Sequence, residues 1–509
     1  VAVSQPSRLN PPHAMHARLP LSALCIALVC ALAACAVGPD YQAPTPAAPA
    51  DWTSWRGGPP ELAGHAGAAG APAAQWWRSF GDPALDRLQA RALAASPDLQ
   101  SAALRYAQAR TQRRTVAAQR GPQVDAAAAV TRQRQSEDAA ANRILDAIAP
   151  ANRQAVTELL SDPYTLYQAG FDASWELDLW GRVRRAVEAA DADVAASAAL
   201  YDAARLSLVS EVARNYFELR TAQRQARLLR QDIAALEEQL SLIQARARGG
   251  LAADLDVARQ RTQLAGLQAQ LPRWLEQQAQ AGNRLGLLLG ARPGELGDEL
   301  AAPAGDGPAR PLPDYALGLP SELARRRPDI RAAEARLHQA TARIGLAQAD
   351  LYPSIRLGAR FGYESYESGK FGDWGSRTWS IGPSLDLPIF DSGRRRSVVT
   401  LRELQQQEAA VAYQQTVLRA WHEVDDALSG YRAEQLQYAR LREKAESAAQ
   451  ARAWAQARYL GGLTDYLAVL DAQREDLQAR RDLTASDGRL RTRLVVLYKA
   501  LAGGAETQP

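Results

Sequence analysis

The sequence predicts a mainly α-helical chain built from two tandem repeats, each carrying two β-strands suited to a membrane β-barrel. Three observations lead there. Gln244–Val257 recurs as Gln456–Val469, 212 residues on, with eight of fourteen positions identical, and Glu211-Val212 recurs as Glu423-Val424 at the same offset. No Gly or Pro interrupts residues 182–248, and only Gly430 interrupts 394–460, two stretches of 67 residues each. Ahead of each stretch lie segments whose apolar residues alternate with period two. Composition narrows the class. Over 509 residues, 47% hydrophobic and 23% charged, with mean hydropathy −0.31, exclude a chain crossing a bilayer many times as apolar helices, and the apolar content excludes disorder. Sixty basic against 56 acidic residues, formally +4, give no reason to expect nucleic acid as a partner.

The N-terminus reads as a leader. All three cysteines, Cys25, Cys30 and Cys35, fall near it. Met15, the sole methionine, is followed by His16 and Arg18 and then by an apolar run from Leu19 to Leu32, too short to span a membrane comfortably. The start codon could be Val1 or Met15. Leu32-Ala33-Ala34-Cys35 resembles a bacterial lipobox, which implies a signal peptide over 1–34 and a diacylglyceryl thioether plus an acyl group on Cys35. That covalent lipid is the one prosthetic group expected; no cofactor or metal site is. Two or more acyl chains make a stable anchor. Ala36, not an aspartate, resembles an outer-membrane rather than an inner-membrane address. Residues 35–95 then form a lipid-anchored tether and an equatorial segment, its Ala36–Ala74 portion rich in Pro, Ala and Gly.

Repeat 1 (96–290) and repeat 2 (328–503) each contain a short helix, two strands and a long helical hairpin, with an equatorial linker at 291–327 and a tail at 504–509. Pro97-Asp98-Leu99 pairs with Pro328-Asp329-Ile330, and Pro122 with Pro353, at an offset of 231. The excess over 212 lies between Pro122 and Gly181, where Ser136–Pro163 reads as an enlarged polar loop. Each uninterrupted helix would reach on the order of 100 Å at ~1.5 Å per residue, which no compact domain accommodates. Leu229, Ile233, Leu236, Leu240 and Ile243 step 4-3-4-3, a coiled-coil seam. Gly249-Gly250 and Gly461-Gly462 end the helices and permit reversal; the returning helices are shorter, and Pro272 is expected to kink the first.

In the strand segments, Ile355, Leu357, Ala359, Phe361 and Tyr363 share one face, with Arg356, Arg360 and Glu364 opposite. Ala169, Phe171, Ala173, Trp175 and Leu177 face away from Gln168, Asp172, Glu176 and Asp178. Thr378–Ile389 alternates too, and Gln123–Thr131 more weakly. Strands of this length, with terminal aromatics, suit an outer-membrane barrel, with Trp175, Trp180, Trp374 and Trp379 at the membrane interfaces. Four strands cannot close a barrel and lipid tolerates no open edge, so copies must associate; two, three or four would supply eight, twelve or sixteen strands.

Six stretches in order identify a resemblance: Cys35–Tyr41, Trp175–Arg182, Arg326–Ala335, Ala349–Ile355, Leu387–Arg394 and Leu470–Arg474. The chain resembles the TolC-like outer-membrane efflux factors, in their lipid-anchored branch. The resemblance implies a homotrimer with a twelve-stranded β-barrel continuous with a twelve-helix periplasmic α-barrel. It implies the exit duct of a tripartite efflux pump, whose partners are a periplasmic adaptor (membrane fusion protein), an inner-membrane transporter, most often of the resistance-nodulation-division type, and outer-membrane lipid. The long Ser136–Pro163 loop departs from the family pattern.

The hairpin ends carry the candidate site. Asp254 and Asp256 follow the first Gly-Gly turn; Asp465, Asp471 and Arg474 follow the second, and rotational symmetry would turn each into a ring, the carboxylate rings favouring cations. By resemblance, Leu467, Asp471 and Arg474 match the positions closing the periplasmic aperture, Leu467 as an apolar constriction. The competing reading makes these charges solvated intrahelical pairs, worth about half a kcal/mol or less. The turn residues Gly249, Gly250, Leu251, Gly461, Gly462 and Leu463 are candidate adaptor contacts. A rival function is the adaptor itself, a lipid-anchored periplasmic coiled-coil scaffold; two tandem hairpins plus four strands argue against it. The three histidines past the leader, His65, His338 and His422, lie far apart in sequence, so no catalytic constellation is expected.

Overall fold

The computed structural model describes residues 36–45, 52, 58–62, 73–140, 143, 152–301, 312–317 and 319–503. The predicted leader, Cys35 and the tail 504–509 lie outside them. Helices α1 (Pro83–Ala95) and α2 (Pro97–Ala117) precede strand β1 (Gln123–Gln133), helix α3 (Arg153–Ser161) and strand β2 (Tyr164–Leu177). Helices α4 (Arg182–Arg248), α5 (Asp254–Gln268), α6 (Leu271–Leu288), α7 (Pro320–Arg326) and α8 (Pro328–Ala349) follow. Strands β3 (Ser354–Ser365) and β4 (Arg377–Asp386) lead into α9 (Arg394–Leu460) and α10 (Tyr466–Ala500). The chain divides into two compact units, one of residues 1–41, 113–189 and 340–405, the other of 42–112, 190–339 and 406–509.

The first unit holds an antiparallel sheet of order β1-β2-β3-β4. Its register stacks side chains of like character. Ala126, Phe171, Phe361 and Trp379 form one cross-strand row, flanked by the row Val124, Ala173, Ala359 and Ile381. On the other face, Asp125, Asp172, Arg360 and Ser380 align. The alternation read from sequence thus becomes one apolar and one polar face, because side chains alternate across a pleat and the register preserves parity. Gly170 faces Gly362 across β2 and β3; a Cβ on either would come within 2.9 Å of the other's Cα.

The second unit holds the helical core. Asp82 caps α1 by accepting the Ala84 N–H at 3.0 Å, with Pro83 opening the helix, and its other oxygen accepts the Tyr216 hydroxyl at 2.6 Å. Trp76 is buried and stacks on Tyr498, ring centroids 4.9 Å apart. Arg327, at the junction of α7 and α8, donates to Asp329, Glu423 and the carbonyls of Ala420 and Ala500. Gly488 lets α10 cross α4 closely: a Cβ there would lie 2.1 Å from Thr221 Oγ1.

The structure alters several expectations. Ser136–Pro163 is not all loop, since Arg153–Ser161 is helical; Val156, Leu159 and Leu160, at i, i+3 and i+4, supply the apolar stripe. The first returning helix is broken rather than kinked: α5 ends at Gln268 and α6 begins at Leu271, with Pro272 in its first turn, where a missing N–H costs nothing. Gly430 does not interrupt α9; its missing Cβ leaves room for Arg493, whose Nη1 would lie 3.3 Å from one. The linker carries helix α7. Trp180 and Trp374 lie outside the strands, Trp374 in a 3-10 turn between β3 and β4.

Candidate functional site

Three regions carry the candidate residues. The first is the apolar face of the sheet. Phe171 (58% exposed), Trp379 (69%) and Ile381 (68%) have no cover in the single chain, although each belongs to a row that continues across the strands. The four tryptophans divide between the sheet's ends. Trp175 and Trp180 stand where β2 ends, and Trp374 and Trp379 where β4 begins. Each rim has a polar anchor: Trp175 Nε1 donates to Arg120 O at 3.0 Å and Trp180 Nε1 to Pro353 O at 2.8 Å, while the Arg377 guanidinium lies 4.3 Å from the Trp374 ring centroid. Trp180 is half-buried, stacked on Tyr352 at 4.9 Å. The twelve residues of β3 extend roughly 40 Å, and a barrel strand tilted by about 40° would cover ~30 Å of membrane thickness.

The second region is the segment after Cys35. Val37 N–H donates to Trp180 O at 3.1 Å. The Arg185 side chain, 5% exposed, donates to Val37 O and Gly38 O, both at 3.2 Å, and to Asp40 at 2.7 Å. Gly38 has φ +97°, and a Cβ there would sit 2.3 Å from Gly345 Cα, so only glycine fits. Ala36 packs on Gly181, whose Cβ would lie 2.7 Å from that of Ala36. The residue next to Cys35 is thereby held where β2 gives way to α4.

The third region is the pair of hairpin ends. In both, the second glycine is left-handed, Gly250 at φ +74° and Gly462 at φ +70°. Leu251 N–H donates to Arg246 O and Leu463 N–H to Arg458 O, each at 2.8 Å, which completes the same Schellman closure twice. Gly249 and Gly461 precede these residues, and Leu251 and Leu463 project at 80% and 71% exposure. Asp465 then caps α10, accepting the Ala468 N–H at 3.1 Å. Leu467, Asp471 and Arg474 fall at i, i+4 and i+7 on one exposed face of α10. Asp471 and Arg474 pair within the helix at 3.5 Å, their side chains 55% and 68% exposed. Asp254 is exposed in the first turn of α5, and Asp256 lies 3.8 Å from Arg259. Within one chain, then, the structure joins Asp471 to Arg474 but brings neither into contact with Asp254 or Asp256.

Contacts between the hairpins escape the sequence reading. Arg246 Nη1 donates to the Tyr459 hydroxyl at 2.9 Å, Tyr459 packs on Tyr466 with centroids 5.4 Å apart, and the Tyr466 hydroxyl donates to Gln260 Oε1 at 3.3 Å. Burial, with Tyr459 and Asp256 nearby, pushes the Tyr466 phenol up to about 12, which keeps it a donor. Tyr459 and Arg246 lie 213 residues apart; the one available signal was their common position just ahead of each Gly-Gly turn.

The family described as "Outer membrane efflux protein" matches residues 88–291 and 319–503. The chain is 37% identical over 489 residues to outer membrane protein OprJ of Pseudomonas aeruginosa, covering 95% of each. It is 33% identical over 486 residues to the toluene efflux pump outer membrane protein TtgF of Pseudomonas putida, covering 94% of this chain and 96% of the relative. Among solved structures, the outer-membrane channel OprN superposes with TM-score 0.79 at 32% identity, over 92% of this chain and 99% of that one. The Campylobacter jejuni CmeC outer membrane channel gives 0.81 at 25%, over 93% and 96%.

Proposed function

The chain belongs to the outer membrane efflux protein family and is the outer-membrane channel of an efflux pump, and from that premise we propose that it works as a homotrimer. Three four-stranded sheets close into a twelve-stranded barrel whose apolar face meets lipid and whose polar face lines the lumen. The observation that carries this reading is the sheet itself: its apolar face is uncovered, and β1 and β4 leave open edges that a bilayer does not tolerate. The tryptophans at the two ends of the sheet then lie near the two membrane interfaces.

Cys35 carries the lipid. The docking of Ala36–Gly38 beside Trp180 supports this, because it holds the residues that follow Cys35 where the strand β2 ends. The exposed turns at Leu251 and Leu463 receive a periplasmic adaptor, which connects the duct to an inner-membrane transporter of the resistance-nodulation-division type. Leu467, Asp471 and Arg474, repeated three times, narrow the periplasmic aperture, with Asp254 and Asp256 adding carboxylates nearby. Relatives named for toluene and antibiotic efflux support small organic molecules as cargo.

Detergent-extracted protein run unheated and heated on a denaturing gel, then inserted into planar bilayers, tests the proposal. A heat-labile trimer that conducts ions is expected; a non-conducting monomer refutes it. Asp471→Ala with Arg474→Ala is expected to raise single-channel conductance, and an unchanged value removes the aperture assignment.

A further inference from the structure

Within the hairpin body, two carboxylates are buried against one guanidinium. The side chains of Asp232, on α4, and Asp476, on α10, are 6% and 1% exposed, and both meet the same nitrogen, Arg480 Nη2, at 3.1 and 3.5 Å. From α9, Arg452 Nε reaches Asp476 at 3.2 Å. The surroundings are apolar: Leu229, Leu236, Leu264, Leu267 and Leu477 form the cluster through which the hairpins pack. The charges therefore interrupt a leucine seam, where their desolvation opposes stability. Hydrogen bonding is also incomplete. Among the described residues, neither carboxylate oxygen of Asp476 accepts a hydrogen bond, and Arg480 Nε finds no acceptor.

Such an arrangement is poised rather than tightly bonded. With Arg480 between them, the carboxylates are neutralised; without it, Asp476 keeps Arg452, while Asp232 loses the guanidinium it pairs with and faces Asp476 in a medium that screens charge poorly. The cheapest relief is to move α10 outward into water. Leu467, Asp471 and Arg474 occupy the turns of α10 just ahead of Asp476, so a displacement there carries the candidate aperture residues with it.

We propose that Arg480 is the pin holding the second hairpin's returning helix against the first hairpin, and that this pin keeps the aperture closed. The inference rests on the aperture reading above. Arg480 acts by position, through two acidic side chains, and takes no part in lining the pore. Charge balance, not side-chain volume, is the operative quantity. Removing one carboxylate must therefore compensate for removing the guanidinium.

The test compares single-channel conductance of the full-length protein in planar bilayers for Arg480→Met, Asp232→Asn with Arg480→Met, and Asp471→Ala with Arg474→Ala. Arg480→Met is expected to raise conductance severalfold, and adding Asp232→Asn to return it to the parental value. If both variants stay equally open, lost packing explains the opening and the pin is refuted. If Arg480→Met conducts as the parent while the aperture variant opens, the pin fails and the aperture stands; if the aperture variant does not open either, both fall. Should Arg480→Met not form trimers, assembly of the double variant supports the pin and its failure to assemble refutes it.

Discussion

Replacing Ala359 by arginine tests the placement of the sheet in lipid. Ala359 lies at the middle of β3, between Ala173 on one neighbouring strand and Ile381 on the other, in the row midway between those of Trp175 and Trp379, which the barrel reading sets deepest in the membrane. An arginine facing lipid near the midplane of a barrel costs about 2–4 kcal/mol. Three symmetric copies, as the homotrimer proposal has it, would make that roughly 6–12 kcal/mol per trimer, comparable with the whole stability of many folded proteins. The control is one residue away on the opposite face. Arg360 is 60% exposed and lies 3.5 Å from Asp172, so Arg360→Ala should cost under about 1 kcal/mol. Urea unfolding of trimers reconstituted in vesicles, read by loss of the heat-labile band, measures both. An Ala359→Arg trimer as stable as the parent would refute the lipid-facing assignment, and a collapse of Arg360→Ala instead would show the faces reversed.

Other expected outcomes concern the helical body. Gly488→Ala forces a methyl group against Thr221; overpacking costs about 1–3 kcal/mol, partly offset by about 1 kcal/mol of helix propensity, so a net loss in chemical denaturation is expected, with Thr221→Ala restoring it. Arg327→Met removes a side chain only 8% exposed that bonds two carboxylates and two carbonyls. About 1.5–3 kcal/mol should be lost, at the lower end because Asp329 and Glu423 are part-exposed and rehydrate, and Arg327→Lys should not recover it, lacking the forked geometry. Desolvation raises the Asp232 pKa, against the lowering influence of Arg480 and Arg481 and with Asp476 raising it further. Since its folded pKa lies above the unfolded one, its contribution to stability is fully present below the unfolded pKa and lost as pH rises through the folded pKa. The stability of Asp232→Asn relative to the parent should thus rise from acid to neutral pH; a relative stability that falls over that range contradicts the reasoning.

Much of the fold was legible because its signals are local. Helices α4 and α9 fill the intervals between Gly181 and Gly249 and between Gly393 and Gly461, since Gly181 and Gly393 adopt φ of +80° and +83° just ahead of them and Gly-Gly turns end them. The strand faces were legible for a similar reason: alternation needs no knowledge of the partner strand, and the register then had to conserve parity. Helix α3 was missed because its stripe is one turn long inside a polar segment. The break at Ala269-Gln270 was misjudged because Pro272 marks a helix start as readily as a kink.

The site was half legible. The Gly-Gly turns stand out by repetition, and Leu467, Asp471 and Arg474 by the family resemblance, while the i, i+3 spacing of Asp471 and Arg474 offers the intrahelical pair that the structure contains. The tyrosine contacts at the tips and the buried carboxylates around Arg480, where residues 248 positions apart meet, were not legible. What the sequence by itself determined is whatever depends on a residue and its near neighbours: helix length, turn chemistry, the sidedness of each strand. Only the tertiary structure decided which charges are desolvated and which guanidinium they share, because burial and pairing depend on distances between helices that no local pattern contains.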